Sequence, residues 1–278
     1  MTFNQFIEQA LIEDIGNGDH STLACISPTA KGSAILKIKE AGIIAGVTVA
    51  KQLFEWVEPH CLVKILKQDG EQVCVGDVAF EVEASVHTIL KTERLALNIM
   101  QRMSGIATLT HQYVEKIKNY PAKILDTRKT TPNFRWFEKQ AVLIGGGHNH
   151  RMGLYDMIML KDNHIDYCGS IENAINQTNQ YLKANQLDLK IEIEARSLED
   201  VHRIMAHGGV HRIMLDNFTP ALLSDAVSII NKKFETEASG GINLDTIVDY
   251  AKSNVDYISA GAIIHHAVSM DLSLKAVK

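Results

Sequence analysis

Apolar residues recur at helical spacing at the start of the chain (Phe3, Phe6, Ile7, Ala10, Leu11), and Thr2 with Gln5 makes a capping-box signature. A helix is predicted there. Residues 34–40 and 62–66 show partial apolar alternation and read as strands, while Gly70 and Gly76-Asp77 punctuate short β-like runs between 69 and 84, as hairpin turns would. From 86 to 119 the period is helical, with a break or kink expected at Ser104-Gly105. This first part reads as an α+β domain. The rhythm then changes. Short β-like runs at 123–126, 157–161, 190–194, 212–215, 235–238 and 256–259 alternate with helical segments such as 170–183, 197–206, 219–232 and 243–252. Such alternation predicts parallel βαβ units, in a barrel or an open doubly wound sheet. No G-x-G-x-x-G opens a helix after a strand, and no Lys-Ser/Thr follows Gly145-Gly146-Gly147, so a barrel, complete or incomplete, leads over a dinucleotide sheet or a P-loop.

Length agrees with this division: 278 residues suit two domains or one large barrel. The net charge of −5 argues against a dedicated nucleic-acid binder, which shows a strongly basic face. Cys25, Cys61, Cys74 and Cys168 are scattered without a C-x-x-C pair, which fits reduced structural thiols better than a disulfide framework or a zinc site. Four acids precede the first basic residue, Lys31, so no secretory signal is expected. The longest near-apolar run, Ala41 to Ala50, falls well short of the roughly 18 residues that a membrane span needs. A soluble, cytoplasmic protein is expected, with no membrane or nucleic-acid partner.

Candidate chemistry gathers at the ends of the six strands of the second part. These run into Asp126-Thr127-Arg128-Lys129, Lys161-Asp162-Asn163-His164, Glu194, Asp216-Asn217, Ser239-Gly240-Gly241 and Gly261-Ala262. In a parallel barrel such ends share one face, where active sites are built. Between Arg128 and Lys161 there are six Arg and Lys against two acids, a local +4 in an acidic chain. With the glycine run beside them, these cations describe a site for carboxylate or phosphate. Arg135 and Lys139, four residues apart, could instead be a solvated helix face. Glycines after the last two strands could cradle a phosphate on backbone N–H groups. Glu194 and Asp216 could hold ribose hydroxyls or a Mg²⁺ that arrives with a polyphosphate. Glu192, two residues before Glu194, points the same way and could neutralise Lys129 or Lys161. His148 and His150 lack a Cys or carboxylate at ligand spacing, and no nucleophile elbow is present, so zinc and covalent catalysis are both disfavoured.

Ten blocks in order carry a resemblance that covers essentially the whole chain: EDIGNGDHST (13–22), KEAGIIAGV (39–47), ERLALNIMQRMSGIAT (93–108), DTRKTTP (126–132), GGGHNHR (145–151), KDNHI (161–165), EIEARSLED (192–200), MLDN (214–217), ASGGI (238–242) and VDYISAGA (255–262). Together they resemble the quinolinate phosphoribosyltransferases. The resemblance implies an N-terminal α+β sandwich domain (1–112), a TIM-like α/β barrel of about seven strands (113–266) and a C-terminal tail (267–278) returning to the first domain. Six of the strands are legible, and the seventh has no evident place. The implied reaction joins quinolinate to phosphoribosyl pyrophosphate and gives nicotinate mononucleotide, CO₂ and pyrophosphate, with Mg²⁺. The implied assembly is a homodimer with shared sites.

By the same resemblance, Arg128, His150, Arg151 and Lys161 would hold the quinolinate carboxylates, joined by Arg94 of the partner subunit. Lys129 would reach both reactants and the leaving pyrophosphate. Glu194 and Asp216 would hold ribose and metal, and Ser239, Gly240, Gly241, Gly261 and Ala262 the 5′-phosphate. Lys129, Glu194 and Asp216 are the catalytic candidates. Three places depart from the family pattern: Asn133-Phe134 where Gly-Leu is usual, Gln140 where Tyr is usual, and Ile264 where a small hydroxylated residue is usual. Other readings are a related phosphoribosyltransferase for another pyridine carboxylate such as nicotinate, a paralogue associated with molybdate transport, or a non-catalytic anion-binding protein. The last fits poorly, because the charged set is complete.

Overall fold

The computed structural model describes residues 2–277. The chain forms two compact units. The first comprises residues 1–111, 130–146 and 264–278, and the second comprises 112–129 and 147–263. Contiguous blocks cut at 112 and 266 do not follow this division, because 130–146 belongs with the first unit.

The first unit begins with α1 (Phe3–Ile15), whose capping box of Thr2 and Gln5 is formed as the sequence predicts. Then come α2 (His20–Cys25), β1 (Lys31–Ile38), β2 (Gly42–Ile43), α3 (Val47–Val57), β3 (Leu62–Ile65), β4 (Gln72–Val73) and β5 (Val78–Ser85). The long helix α4 (Val86–Ile117) follows and passes into the second unit after His111. Strands β1, β5 and β3 join β12 (Leu272–Val277) in an antiparallel sheet of order β12-β1-β5-β3. Alternation in β1 buries Ala34, Leu36 and Ile38 on one face, as a sheet with one covered side requires. Phe54 of α3 meets Phe80 of β5 edge-on at 6.0 Å, both fully buried. Burying each ring contributes about 1.5–3 kcal/mol.

There is no break at Ser104-Gly105: α4 is continuous over 32 residues. The pair serves close packing instead. Ser104 Oγ accepts from the Ala45 N–H at 2.9 Å and donates to the Ala45 carbonyl at 3.1 Å. A Cβ on Gly105 would come within 2.0 Å of the Val268 carbonyl oxygen. The missing side chain lets the C-terminal segment lie against the helix backbone.

Helix α5 (Arg135–Ile144) belongs to the first unit as well. Its buried Glu138 accepts from Arg102 Nε at 2.9 Å, from Thr131 Oγ1 at 3.0 Å and from the Thr131 N–H at 2.8 Å. Arg102 also donates to the carbonyls of Ala267 and Ile264, each at 2.8 Å. The solvated-face reading of Arg135 and Lys139 is corrected: Lys139 is fully buried, and Arg135 Nε donates to Thr130 Oγ1 at 2.9 Å. The departures from the family pattern find local reasons. Asn133 has φ +61°, a left-handed conformation that asparagine tolerates better than most residues. Phe134 stacks on Phe137 at 4.7 Å and meets Phe6 of α1 at 5.7 Å. Ile264 is fully buried, and Gln140 is half-buried.

The second unit holds β6 (Lys123–Leu125), β7 (Ile158–Leu160), α6 (Asp162–Cys168), α7 (Ile171–Asn185), β8 (Ile191–Ala195), α8 (Leu198–His207), β9 (Arg212–Asp216), α9 (Pro220–Ile230), β10 (Glu235–Ser239), α10 (Ile247–Ala251) and β11 (Tyr257–Ser259); α11 (Ala262–His265) starts in it. The sheet order is β6-β11-β10-β9-β8-β7, and every pairing is parallel. It is an incomplete barrel of six strands. At the free edge of β6, a one-residue parallel bridge to His148 stands where a seventh strand would be expected. Side-chain caps at Ser170, Ser197 and Thr219 start α7, α8 and α9. No helix among the described residues is long and apolar enough to cross a membrane.

Candidate active site

Because the six strands are parallel, their C-terminal ends lie on one side, as the sequence predicts. The segment after β6 places Asp126, fully buried, ahead of exposed Arg128 and Lys129. Asp126 Oδ1 accepts the His150 N–H at 2.9 Å, which fixes the start of the His150-Arg151 turn. Arg151 donates through a guanidinium N–H to the Met157 carbonyl at 3.2 Å. Burial, and then the charge of Arg128, weaken its hold on its proton. An arginine stays cationic even so, although Glu192 and Asp156 act on it favourably, and a carboxylate receptor needs that charge.

Lys161 follows β7, and its Nζ lies 3.2 Å from Glu194 Oε2 at the end of β8. Burial raises the Glu194 carboxyl; Lys161 works against this, and the charges of Asp216 and Asp162 add to the rise. Glu194 and Asp216 therefore share one electrostatic neighbourhood. Two carboxylates there suit a hard cation that keeps waters and takes phosphate oxygens as its other ligands. At the end of β10 the turn Ser239-Gly240-Gly241 carries positive φ at both glycines, +106° and +62°. A Cβ on Gly240 would meet Asn217 Oδ1 at 2.3 Å, whereas Gly241 faces open space. Gly261 and Ala262 follow β11 on the same side.

Not every expected group is free to meet a ligand. The His150 ring is 5% exposed and lies among acids that sequence spacing did not connect to it. Its Nε2 is 2.9 Å from Glu192 Oε2 and 3.3 Å from Glu237 Oε2. Glu192 is thus partnered by His150 rather than by Lys129 or Lys161. Arg212 completes the group with bonds to Glu237 at 3.0 Å and to Glu235 at 3.1 and 3.2 Å, its guanidinium 4.0 Å from the Tyr257 ring centroid. The two nitrogens of His150 pull opposite ways. Burial disfavours the imidazolium, but Glu192 and Glu237 raise it to about 9. Nδ1, however, accepts the Arg151 main-chain N–H at 2.6 Å, which calls for a lone pair there. A proton on Nε2, donated to Glu192, meets the geometry at both nitrogens and leaves the ring neutral, while burial and Glu237 push the Glu192 carboxyl up to about 7. Glu237, hydrogen-bonded to His150 and paired with Arg212, is held low against its burial.

His150, Glu192 and Glu237 bring donor atoms within 4.8 Å of one another, a set that could hold a metal. Arg212 already supplies a cation there. Gly145, taken with the basic residues as part of an anion site, instead packs against α4: a Cβ on it would meet the Ala107 carbonyl at 2.5 Å. Arg94 lies exposed on α4, in the first unit. Sequence reading assigned no role to Asp126, Arg212, Asn217 or Glu237. An acid inside each of the runs KILD and ETEA was the available signal for the first and the last. A shallow hollow of about 520 Å³ among Lys190, His211, Lys233 and Tyr257 shares no residue with the strand-end set.

Comparison with known proteins agrees with this arrangement. The profile described as "Quinolinate phosphoribosyl transferase, N-terminal domain" matches residues 19–104, and the one described as its C-terminal domain matches 106–275. The chain is 44% identical to "Nicotinate-nucleotide pyrophosphorylase [carboxylating], chloroplastic" of Arabidopsis thaliana, over 97% of this chain and 81% of that protein. It is 39% identical to a probable nicotinate-nucleotide pyrophosphorylase of Synechocystis, over 98% of this chain and 92% of that one. The crystal structure of NadC from Streptococcus pyogenes superposes with a TM-score of 0.92 at 38% identity, covering 99% of this chain and 97% of that one.

Proposed function

The chain belongs to the quinolinate phosphoribosyl transferase family, and from that premise we infer that it is the decarboxylating pentosyltransferase of NAD biosynthesis. It transfers the phosphoribosyl group of phosphoribosyl pyrophosphate to quinolinate and gives nicotinate mononucleotide, CO₂ and pyrophosphate. The observation that carries this reading is 44% identity along almost the whole chain to a nicotinate-nucleotide pyrophosphorylase.

The division of labour among residues follows from charge. Quinolinate brings two adjacent carboxylates, which Arg128, Arg151 and Lys161 receive, with Arg94 of the partner subunit in a homodimer. His150, with both ring nitrogens engaged inside the barrel, serves by holding the Arg151 main chain. The Ser239-Gly240-Gly241 turn and Gly261-Ala262 take the 5′-phosphate. Glu194 and Asp216 hold the ribose and Mg²⁺, which when bound screens the pyrophosphate charge. Lys129 stabilises pyrophosphate as the bond from C1′ to oxygen breaks and the pyridine nitrogen supplies a new electron pair to C1′. The oxocarbenium-like centre is met by positioned charge rather than by a base. The resulting pyridinium then accepts the electron pair as the 2-carboxylate leaves as CO₂, and C2 takes a proton from solvent. The four free cysteines support a reducing, cytoplasmic setting.

Release of ¹⁴CO₂ from carboxyl-labelled quinolinate, dependent on phosphoribosyl pyrophosphate and Mg²⁺, tests the reading. Lys129→Ala is expected to lower kcat by a factor on the order of 10² or more with an unchanged circular dichroism spectrum, since it removes charge stabilisation from the transition state. Consumption of nicotinate with quinolinate ignored would overturn the assignment of substrate, and undiminished turnover in Lys129→Ala the assignment of Lys129.

A further inference from the structure

We propose that Asn217 is a positioning residue that ties the Asp216 carboxylate to the Ser239-Gly240-Gly241 turn, so that one side chain sets two parts of the phosphoribosyl pyrophosphate site relative to each other. The inference rests on the reading of that site given above.

Asn217 follows the last residue of β9 with φ +56°, left-handed. Few residues other than glycine, asparagine and aspartate adopt that conformation without strain. Three contacts follow from it. The Asn217 N–H donates to the Ser239 carbonyl at 2.8 Å, which extends the β9–β10 ladder beyond the Asp216–Ser239 pair. Asn217 Nδ2 donates to Asp216 Oδ2 at 2.5 Å. Asn217 Oδ1 lies against Gly240, where a Cβ would come within 2.3 Å of it.

A carboxylate turns easily about its last torsion, so an unheld Asp216 would sample many orientations. The amide donor fixes its plane and leaves Oδ1 for a ligand. A lysine in the same place would also orient the carboxylate, but it would neutralise the charge that a sugar hydroxyl or a divalent cation needs. On the other side, the amide oxygen occupies the space beside Gly240, which with the Asn217 main-chain nitrogen and the left-handed φ of +106° leaves no place for a Cβ there. Moving Asn217 would disturb both ends at once. Of the cations assigned to quinolinate, Arg151 bonds to the Met157 carbonyl and Lys161 pairs with Glu194.

The test uses the full chain as wild type, Asn217→Gly and Asn217→Asp. Glycine keeps the left-handed backbone and deletes both side-chain contacts; aspartate keeps the size and puts a second carboxylate against Asp216. Titration calorimetry gives Kd for phosphoribosyl pyrophosphate with Mg²⁺ and, separately, for quinolinate. In Asn217→Gly the first Kd is expected to rise about tenfold, the loss of one hydrogen bond to a charged group, with quinolinate binding unchanged. Asn217→Asp is expected to lose more. An unchanged Kd for phosphoribosyl pyrophosphate in both variants would overturn the proposal, and so would an equal weakening of quinolinate binding, which marks a general structural role. Neither measurement requires turnover, so failure of wild type to release CO₂ from quinolinate would strike the proposed function alone.

Discussion

Four buried or nearly buried ionisable side chains, His150, Glu192, Arg212 and Glu237, cannot all keep their ordinary protonation. Burial favours neutral forms, and the Arg212 guanidinium is hydrogen-bonded to Glu237. Folding therefore takes up a proton. The carboxyl of Glu192 titrates near 7 in the fold instead of near 4.5, so the stability it contributes is complete below about pH 4.5 and is lost as pH rises through 7. The melting temperature of the wild type is expected to fall as pH rises from 5 to 8, and Glu192→Gln, which needs no proton, should flatten that curve. Parallel melting curves for the two proteins would refute this account. At this scale the sequence was legible where a motif ended a strand: Arg128, Lys129, Lys161, Glu194 and Asp216 all stand on the C-terminal side of the sheet. It was silent where partners come from distant strands. Nothing in the spacing of His150, Glu192 and Glu237 announces that a loop and two non-adjacent strands converge, because only the fold brings them together.

Helix α4 shows how an element can depart from its own composition. Ser104-Gly105 reads as a break, yet the helix continues through it because tertiary packing replaces what intrinsic preference lacks. In an open helix Gly→Ala stabilises by up to about 1 kcal/mol. Here the added methyl would meet the Val268 carbonyl, and overpacking of this kind costs about 1–3 kcal/mol. Gly105→Ala is thus expected to lower the melting temperature, read by calorimetry; a rise would mean that the C-terminal segment does not lie against α4. The strands of the barrel were easier to anticipate. In β8, Ile191, Ile193 and Ala195 alternate with Glu192 and Glu194, and all five are buried, so the apolar set shows the strand while the acids face the interior. The seventh strand could not be found from periodicity because it is reduced to the single bridge at His148, too short to leave a pattern.

For the molecule as a whole, the proposed exchange of Arg94 between subunits can be tested by mixing. Arg94→Ala and Lys129→Ala should each be inactive alone. Dissociated and reassembled together, they form hybrid dimers in which one of the two sites has both wild-type residues, so activity should return to about a quarter of the wild-type value by random pairing. No recovery, with subunit exchange verified by mass spectrometry, would show that Arg94 serves its own chain's site. Charge at this scale was only partly legible: a total of −5 describes the surface and hides a strand-end face rich in Arg and Lys. The domain plan was harder still, since the first unit is assembled from three stretches of chain. Its outermost sheet pairing, β1 with β12, joins Ser33 to Val277. During synthesis β1 leaves the ribosome early and must wait, with that edge unpaired, until β12 follows it. The 147–263 stretch of the second unit is delivered in the interval, so the first unit is begun before that stretch and completed after it.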